Sequence, residues 1–297
     1  MKSTPAAQEI AGVRLTSPEK VLFPEQGVSK RELAEYYVAV SRHVLPHLKG
    51  RPLSLVRCPA GRQKQCFFQR HAGEGFPREV RRVRVDEADG PAEYVVAETL
   101  PALVALVQIG VLELHTWGAR RDRLDRPDRV ILDLDPGPDV GWAQVVAAAY
   151  EARERLRAAG LESWVKTTGG KGLHVVAPLQ RRSGWEEVRG FARRLAEAMA
   201  ADAPARFVAQ AAKDERAGRI YVDYLRNGWG ASAVAAYSTR ARAGATVSVP
   251  VAWEELGPAL RPAELTVRTV PARLAALGDD PWAGYAGARQ TLRRVAL

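Results

Sequence analysis

Two strand-like segments at residues 163–168 and 173–178 are separated by only four residues, Gly169-Gly170-Lys171-Gly172. So short a connection joins antiparallel strands, because parallel neighbours need a crossover of a dozen or more residues. Other predicted strands are also joined by hairpin-length loops, while predicted helices alternate with them. The sequence therefore predicts an α/β (α+β) fold of mixed and antiparallel strands flanked by helices, and argues against a doubly wound parallel sheet.

The helices are predicted from apolar residues that recur every three to four positions. The clearest helix spans residues 30–48, with Ser29 as its N-cap and Glu32 completing a capping box. Further helices are predicted at 99–107, 142–159, 184–201 and near 253–256, and strands at 53–57, 65–69, 80–85, 92–97, 112–117, 129–135, 163–168, 173–178, 207–212, 219–225 and 234–238. No repeat or long linker interrupts this pattern. We therefore predict one domain over residues 1–297, with approximate parts at 11–115 and 116–297.

The charge balance indicates the class of partner. The 297 residues include 44 Lys and Arg against 34 Asp and Glu, a formal net charge of +10. This excess favours a polyanion such as nucleic acid through counterion release, although an arginine-rich surface of no function would look similar. The two cysteines, Cys58 and Cys66, are too few for a disulfide framework, and with no secretory leader they favour a reducing, cytoplasmic setting. The most apolar stretch, 94–114, is interrupted by polar residues, so no membrane segment is expected.

Asp133 and Asp135 alternate with Leu132 and Leu134 near the end of a predicted strand. Residues two apart on a strand share a face, so these carboxylates lie on one side, with backbones about 7 Å apart. Like charges held together are costly unless a cation neutralises them, and carboxylate oxygens suit divalent metals. We interpret the pair as metal ligands; two solvated aspartates at a strand edge are the alternative.

Asp223 is a third candidate ligand. It lies in another predicted strand among β-branched and aromatic residues, where a carboxylate needs a partner. That partner is either a metal ion or Arg226. Three such carboxylates would suit phosphoryl transfer with two ions about 3.5–4 Å apart. The sequence leaves open whether Asp223 meets the other two aspartates.

The loop at 169–172 is a candidate phosphate site. Its glycines let backbone N–H groups face an anion, and Lys171 adds a positive charge. It is no P-loop, because a strand follows it where that motif requires a helix. His174 lies on the strand just after the loop, within reach of a ligand held there. A structural turn and a core histidine are the alternatives.

Two further segments suggest contacts with nucleic acid. Phe67 and Phe68 are adjacent in a predicted strand, so their rings face opposite sides, and an exposed ring there stacks on a base. Arg240 and Arg242 share one face of a strand predicted to continue over 237–242, an arrangement suited to phosphate. Rings buried in the core and a solvated basic edge are the alternatives.

Four segments taken together resemble the motifs of the archaeo-eukaryotic primase superfamily, and more narrowly the polymerase domain of bacterial ATP-dependent DNA ligase D. They are Leu-Asp-Leu-Asp-Pro at 132–136, Thr-Thr-Gly-Gly-Lys-Gly-Leu-His at 167–174, Val-Asp-Tyr-Leu-Arg-Asn at 222–227 and Tyr-Ser-Thr-Arg at 237–240. Further matches at 17–20, 27–30, 67–71 and 113–115 extend the resemblance over nearly the whole chain. The sequence has no Lys-x-Asp-Gly motif, so we do not expect it to ligate by itself.

The resemblance implies an RRM-like catalytic sheet with a second α/β layer, and a template-directed DNA/RNA primase-polymerase. Such a nucleotidyltransferase would hold two divalent ions, commonly Mn2+ and otherwise Mg2+, on the catalytic residues Asp133, Asp135 and Asp223. Asp223 would also activate the primer hydroxyl. The remaining implied roles are triphosphate binding by Thr168, Lys171, His174, Arg240 and Arg242, ribose contact by His115, template stacking by Phe67 and Phe68, and 5′-phosphate binding by Lys20 and Lys30.

The resemblance also implies a biological setting. NTPs would be preferred over dNTPs, and the DNA partners would be gaps and broken double-strand ends in non-homologous end joining. The implied protein partners are Ku and an ATP-dependent DNA ligase, in the bacterial cytoplasm at the nucleoid.

Two other functions compete with synthesis. A metal-dependent nuclease would use the same carboxylates, but it needs no triphosphate cradle such as Lys171 and His174 provide. A non-catalytic binder of DNA ends gains nothing from three acids in a basic groove. If the three aspartates converge, Asp133→Asn should abolish extension and leave stability in metal-free buffer equal or higher, because like-charge repulsion is relieved.

Overall fold

The computed structural model describes residues 8–212 and 214–292, so both ends of the predicted 1–297 domain lie outside the described residues. The helices are α1 Lys30–Leu48, α2 Leu100–Gln108, α3 Trp142–Ala158, α4 Trp185–Asp202 and α5 Val270–Ala276. The strands are β1 Gln8–Ile10, β2 Val13–Leu15, β3 Val21–Phe23, β4 Val28–Ser29, β5 Leu53–Arg57, β6 Phe67–Gln69, β7 Arg81–Glu87, β8 Gly90–Val96, β9 Val111–Trp117, β10 Arg129–Pro136, β11 Trp164–Thr167, β12 Leu173–Pro178, β13 Phe207–Val208, β14 Ile220–Asp223, β15 Ser232–Val234 and β16 Pro250–Val251. The predicted α/β (α+β) class is confirmed.

The elements with the strongest local signals lie where the sequence predicted them. Helix α1 has the predicted bounds, and its capping box forms: the Glu32 N–H donates to Ser29 Oγ, and the Ser29 N–H donates to Glu32 Oε2. Strands β5 and β12 also have the predicted bounds, and other predicted elements are shifted or shortened at their ends. Capping and alternation are local properties, so the sequence alone specifies them.

Two predictions in the C-terminal third are wrong. Residues 237–242 do not form a strand: Tyr237 has a φ of +63°, and the hydroxyls of Ser238 and Thr239 hydrogen-bond to backbone groups of β9. The left-handed backbone at Tyr237 interrupts the extended conformation, and the backbone pairing that follows it is an isolated β-bridge between Thr239 and Val247. The helix predicted near 253–256 is absent, and the chain forms turns there. The next α-helix along the chain is α5, which begins at Val270 and has a proline in its first turn.

The described chain divides into two compact units built from non-contiguous segments. The first contains residues up to Trp117 together with 234–248 and 263–277. The second contains 118–233, 249–262 and the residues from 278 onward. No linker in the sequence marks these changes of unit. The single domain with parts at 11–115 and 116–297 stays a prediction.

The second unit contains a sheet with the strand order β13-β14-β10-β12-β11-β16. Its neighbours are antiparallel except for the parallel pair of β13 and β14. Along the chain the order is β10-α3-β11-β12-α4-β14, so two βαβ halves interleave around β10 and β12. This is the RRM-like arrangement that the resemblance implied.

Alternation along β10 separates the two faces of this sheet. Leu132 and Leu134 are fully buried and pack with apolar residues of α3 and α4 in one core cluster. Burying each such leucine contributes about 2 kcal/mol. Ile131, Asp133 and Asp135 point to the opposite face. The helices therefore fix one side of β10 while the carboxylates remain on the other.

In the first unit β9, β5, β8 and β7 lie side by side, and β6 pairs with β5. The pairing of Arg57 with Phe67 places the next residues outward, Cys58 and Cys66, opposite each other, and they form a disulfide. The sequence analysis expected no disulfide, because two cysteines reveal nothing of their distance until strand register is known. Within the described residues, no helix is long and apolar enough to cross a membrane.

Candidate active site

Four polar residues form a row across the sheet of the second unit. Asp223 of β14 lies opposite Asp133 of β10, which lies opposite His174 of β12, and His174 lies opposite Lys166 of β11. Residues directly opposite in antiparallel strands share a face, so all four side chains point the same way. All four are buried. Asp135 follows on the same face of β10, so the structure brings the three aspartates together.

Arg226 lies between two of these carboxylates. Its Nε atom is 3.1 Å from Asp133 Oδ2 and 3.3 Å from Asp223 Oδ2. Asp223 Oδ1 accepts hydrogen bonds from the Leu225 N–H at 2.7 Å and from the Tyr221 hydroxyl at 3.3 Å. The sequence analysis had left metal and Arg226 as alternative partners of Asp223. The guanidinium partly neutralises a cluster that carries more negative than positive charge.

The pKa values of these side chains reflect their burial and the charges of their neighbours. Burial, reinforced by Asp133, raises the pKa of Asp135 to about 6, and burial also raises the pKa of Asp223. Burial and the Lys166 ammonium lower the pKa of His174 to about 4, so its imidazole is neutral near pH 7. Burial opposes ionisation of Asp133, but His174 and Arg226 hold its pKa below the ordinary range. The guanidinium is thus the charge partner of Asp133.

These carboxylates fit divalent metal ions. Within residues 8–212 and 214–292, no three His, Cys, Asp or Glu side chains are already arranged as a metal-ion site. Asp133 Oδ1 is buried with no hydrogen-bond partner in that part of the chain, 3.3 Å from His174 Nε2. Oxygen donors with raised pKa values and an orphaned buried oxygen are the donor set that Mg2+ and Mn2+ prefer. Arg226, whose side chain is 39% exposed, is the group that would yield to them.

The hairpin loop lies beside Asp135. A Cβ atom added to Gly172 would clash with Leu134 O and would lie 3.5 Å from Asp135 Oδ1, so only glycine allows this approach. Thr168 Oγ1 donates to Gly172 O at 3.1 Å and accepts from the Gly170 N–H at 3.3 Å, which holds the loop in shape. Lys171 is exposed at the tip. Thr168, Lys171 and His174 are therefore gathered next to the carboxylates.

A second cluster lies in the first unit, around Glu113. Its Oε2 atom is 2.8 Å from His115 Nε2 and 3.0 Å from Arg240 Nε, and Oε1 accepts from the Ala241 N–H at 2.8 Å. The Phe68 ring lies edge-on to His115, with 5.8 Å between centroids. Glu113 has no predicted role on the basis of the sequence. The signal was available, since an acidic residue among Val, Leu and Leu in a strand requires partners.

The aromatic candidates of the first unit and Arg242 are exposed, whereas Arg240 is mostly buried. Phe67 is 42% and Phe68 50% exposed, and Arg57 and Arg70 lie over the two rings. Neither ring joins the core, which is the condition that stacking on a base requires. Arg242 is exposed in the turn that follows Arg240. These two arginines therefore lie on a turn and do not share a strand face.

Lys20 and Lys30 lie near each other in the same unit. Lys30 is buried and donates from Nζ to Thr16 O at 2.6 Å and to Gln108 Oε1 at 3.2 Å. Burial and the charge of Lys20 lower the pKa of Lys30. Lys20 is exposed and donates to Pro59 O. Two ammonium groups that repel each other favour an anion between them.

Glu113→Gln tests the buried cluster through the pH dependence of stability. Burial would raise the pKa of Glu113, but His115 and Arg240 lower it from 4.5 to about 2. A depressed folded-state pKa contributes stability that is present above 4.5 and is lost as pH falls towards 2. We expect Glu113→Gln to lower the free energy of unfolding by about 2–3 kcal/mol at pH 7 and by less at pH 3. Urea unfolding at both pH values measures this, and an equal deficit at both would contradict it.

Most of the chain is similar to known proteins. The family model of the LigD primase-polymerase domain matches residues 29–282. The chain belongs to this family. The multifunctional non-homologous end joining protein LigD of Pseudomonas aeruginosa is 44% identical over 285 residues, which are 95% of this chain and 34% of that protein. The bifunctional LigD of Bacillus subtilis is 31% identical over 264 residues, 88% of this chain and 42% of that protein.

A solved structure is also similar. The polymerase domain of Mycobacterium tuberculosis ligase D, in complex with DNA, aligns with a TM-score of 0.87 and 30% identity, covering 94% of this chain and 99% of that one. The chain spans about a third of the length of the LigD proteins of P. aeruginosa and M. tuberculosis. The resemblance drawn from the motifs is confirmed. As a LigD primase-polymerase domain the chain is a nucleotidyltransferase that uses a nucleotide substrate and divalent metal.

Proposed function

We propose that this LigD primase-polymerase domain adds nucleotides to primer ends in a template-directed reaction, with ribonucleotides preferred. Its DNA substrates are gaps and broken ends in non-homologous end joining, and its partners there are Ku and an ATP-dependent DNA ligase in the bacterial cytoplasm, at the nucleoid. The observation that carries the proposal is the convergence of Asp133, Asp135 and Asp223 on one face, beside the glycine hairpin. Acids next to a cationic glycine loop suit a triphosphate with its metal ions.

The carboxylates would hold two divalent ions, Mn2+ or Mg2+. When bound, these ions supply positive charge for the phosphates and lower the pKa of the attacking hydroxyl. Asp223 is oriented by the Leu225 N–H and the Tyr221 hydroxyl, and this fixed carboxylate would accept the proton of the primer hydroxyl. Without metal, His174 and Arg226 hold the pKa of Asp133 below the ordinary range, so its carboxylate is ionised at neutral pH and available to the ions.

The hairpin and its neighbours would bind the nucleotide. Lys171 is exposed at the loop tip, where an ammonium group reaches phosphate oxygens. His174 is neutral near pH 7, and its Nδ1 atom has no hydrogen-bond partner among the described residues. Thr168 shapes the loop. Separately, within the first unit Glu113 contacts His115 and Arg240. The resemblance assigns ribose contact to His115 and triphosphate binding to Arg240 and Arg242.

The direct test is extension of a labelled primer across a short gap with a downstream 5′-phosphate. Mn2+ and single NTPs or dNTPs are supplied in turn. We expect addition of the template-matched nucleotide, with NTPs faster than dNTPs. A shortened primer would show a nuclease instead, and a retarded but unchanged primer would show a non-catalytic binder; either result overturns the proposal.

Lys20→Ala and Lys30→Ala test recognition of the 5′-phosphate. Each removes one of two neighbouring ammonium groups, and a charge-assisted contact to phosphate is worth about 1.5–3 kcal/mol. We expect the preference for a phosphorylated over an unphosphorylated gap to fall about 10-fold or more in both variants. Lys49→Ala, an exposed lysine at the end of α1, is the control. An equal loss on both gaps would reject this role, and Lys20, being exposed, keeps the test independent of folding.

A further inference from the structure

Trp229 and Leu225 are exposed apolar residues of the turn that follows Asp223. Their side chains are 46% and 39% exposed, and they are the only large apolar residues so exposed among the described residues of the second unit. An indole ring is rarely left in water without use, because burying it is strongly favourable. The hydrogen bonds and ion pairs described above for the three aspartates do not involve the Trp229 ring, so the carboxylate cluster does not explain why this ring is exposed.

The Trp229 ring is held on a fixed base. It lies edge-to-face with Trp185, with 6.0 Å between centroids and 84° between planes. Trp185 is buried and donates from Nε1 to Leu124 O at 2.7 Å. A ring supported in this way loses little conformational entropy when a flat ligand stacks on it.

The turn that carries these residues is anchored at two points, to the side chain of Asp223 and to the backbone of β10. The Leu225 N–H donates to Asp223 Oδ1, and the Asn227 amide makes two hydrogen bonds with the backbone of Ile131, of 2.7 and 2.8 Å. Ile131 is two residues before Asp133 on β10. Trp229 lies six positions after Asp223, so the two residues are at most about 20 Å apart. At about 3.4 Å per stacked base, this is the length of a few nucleotides.

Cations flank this surface. An atom added at Gly228 would lie 3.9 Å from the Arg189 side chain, which is exposed on α4, and Arg226 is partly exposed at the start of the turn. A partner must therefore combine flat apolar rings with negative charge. A nucleic acid strand has both: aromatic side chains stack on its bases, and arginines pair with its phosphates.

We propose that Trp229, Leu225 and Arg189, the Trp229 platform, bind the unpaired 3′ strand of DNA whose terminal hydroxyl is presented to Asp223. The assignment of the 3′ end, with its hydroxyl at Asp223, rests on the proposed function. A base near the 3′ end stacks on Trp229, and Arg189 contacts a neighbouring phosphate. The platform holds an overhang in place when few base pairs hold the primer to its template.

The test is fluorescence anisotropy with a labelled 12-nucleotide single strand, in EDTA and without nucleotide. We expect Trp229→Ala to weaken binding about 5- to 100-fold, the range for one stacked base, and Trp229→Phe to retain affinity within about threefold. Arg189→Ala should weaken binding and flatten its salt dependence. Val38→Ala, which removes an exposed apolar side chain of the first unit, is the control and should bind as the wild type does.

A second readout reports stacking directly. The strand should quench indole emission in the wild type, and the quench should shrink in Trp229→Phe while affinity is kept. Unchanged affinity in Trp229→Ala would overturn the platform and leave this surface to a protein partner. Equal weakness of Trp229→Phe and Trp229→Ala would also overturn it, because any flat ring should stack. If Trp229→Ala does not fold, Trp229→Phe and Arg189→Ala decide.

The two proposals fail separately. Binding in EDTA needs no metal, nucleotide or catalysis, so it reports on the platform even if the wild-type domain never extends a primer. Conversely, the wild type could extend a gapped primer while Trp229→Ala binds the single strand as tightly as the wild type does. That result would support the polymerase function and overturn the platform alone.

Discussion

We expect Asp133→Asn and Asp223→Asn each to reduce template-directed extension to below about a thousandth of the wild-type rate. Both replace a buried carboxylate oxygen with an amide in the donor set that fits divalent ions. Loss of a metal-ligand charge in such a site costs several kcal/mol of transition-state stabilisation, and every 1.36 kcal/mol is tenfold in rate. Single-turnover extension with saturating Mn2+ and NTP measures the chemical step.

The control for this result is Asp125→Asn, which removes an exposed aspartate of the same unit that pairs with Arg126 at the surface. It should extend at the wild-type rate, because a surface ion pair contributes little. If Asp133→Asn retained more than about a tenth of the wild-type rate with excess Mn2+, Asp133 would be a structural ion-pair partner of Arg226 and no metal ligand.

Much of the carboxylate site follows from the sequence because strand alternation is local. The spacing of Asp133 and Asp135 is enough to predict a shared face, and the two residues do lie on one face of β10. The meeting of Asp223 with Asp133 depends on the order and register of β14 and β10, which are joined through two helices and a hairpin. No local pattern specifies that register, so the sequence analysis had to leave the question open.

Other features were missed for related reasons. Polar alternation at 237–242 predicts a strand that carries Arg240 and Arg242, whereas the left-handed backbone at Tyr237 interrupts it and leaves an isolated bridge at Thr239. The disulfide of Cys58 and Cys66 follows only from the pairing of β5 with β6. The fold class was predictable from short loops and capping, while contacts between distant segments were not.

Opposite changes in stability are expected for Asp133→Asn and Asp135→Asn in EDTA, which corrects the expectation of equal or higher stability for Asp133→Asn. Asp135 has a folded-state pKa raised from 3.8 to about 6, so its ionisation opposes folding increasingly as pH rises through that window. We expect Asp135→Asn to raise the free energy of unfolding by about 1–3 kcal/mol at pH 8. The gain should vanish near pH 4, where the carboxyl is already protonated in the fold.

The same argument gives Asp133 the other sign. Its pKa is depressed in the fold, so its carboxylate contributes stability above the unfolded pKa of 3.8 that is lost only at lower pH. Asp133→Asn also leaves Arg226 with Asp223 as its remaining close partner, so we expect a loss of about 1–3 kcal/mol at pH 8. Urea unfolding of both variants at pH 8 and pH 4 measures the pair. If both variants were stabilised at pH 8, repulsion among the carboxylates would outweigh the ion pair, and Arg226 would not be the group that holds this site together without metal.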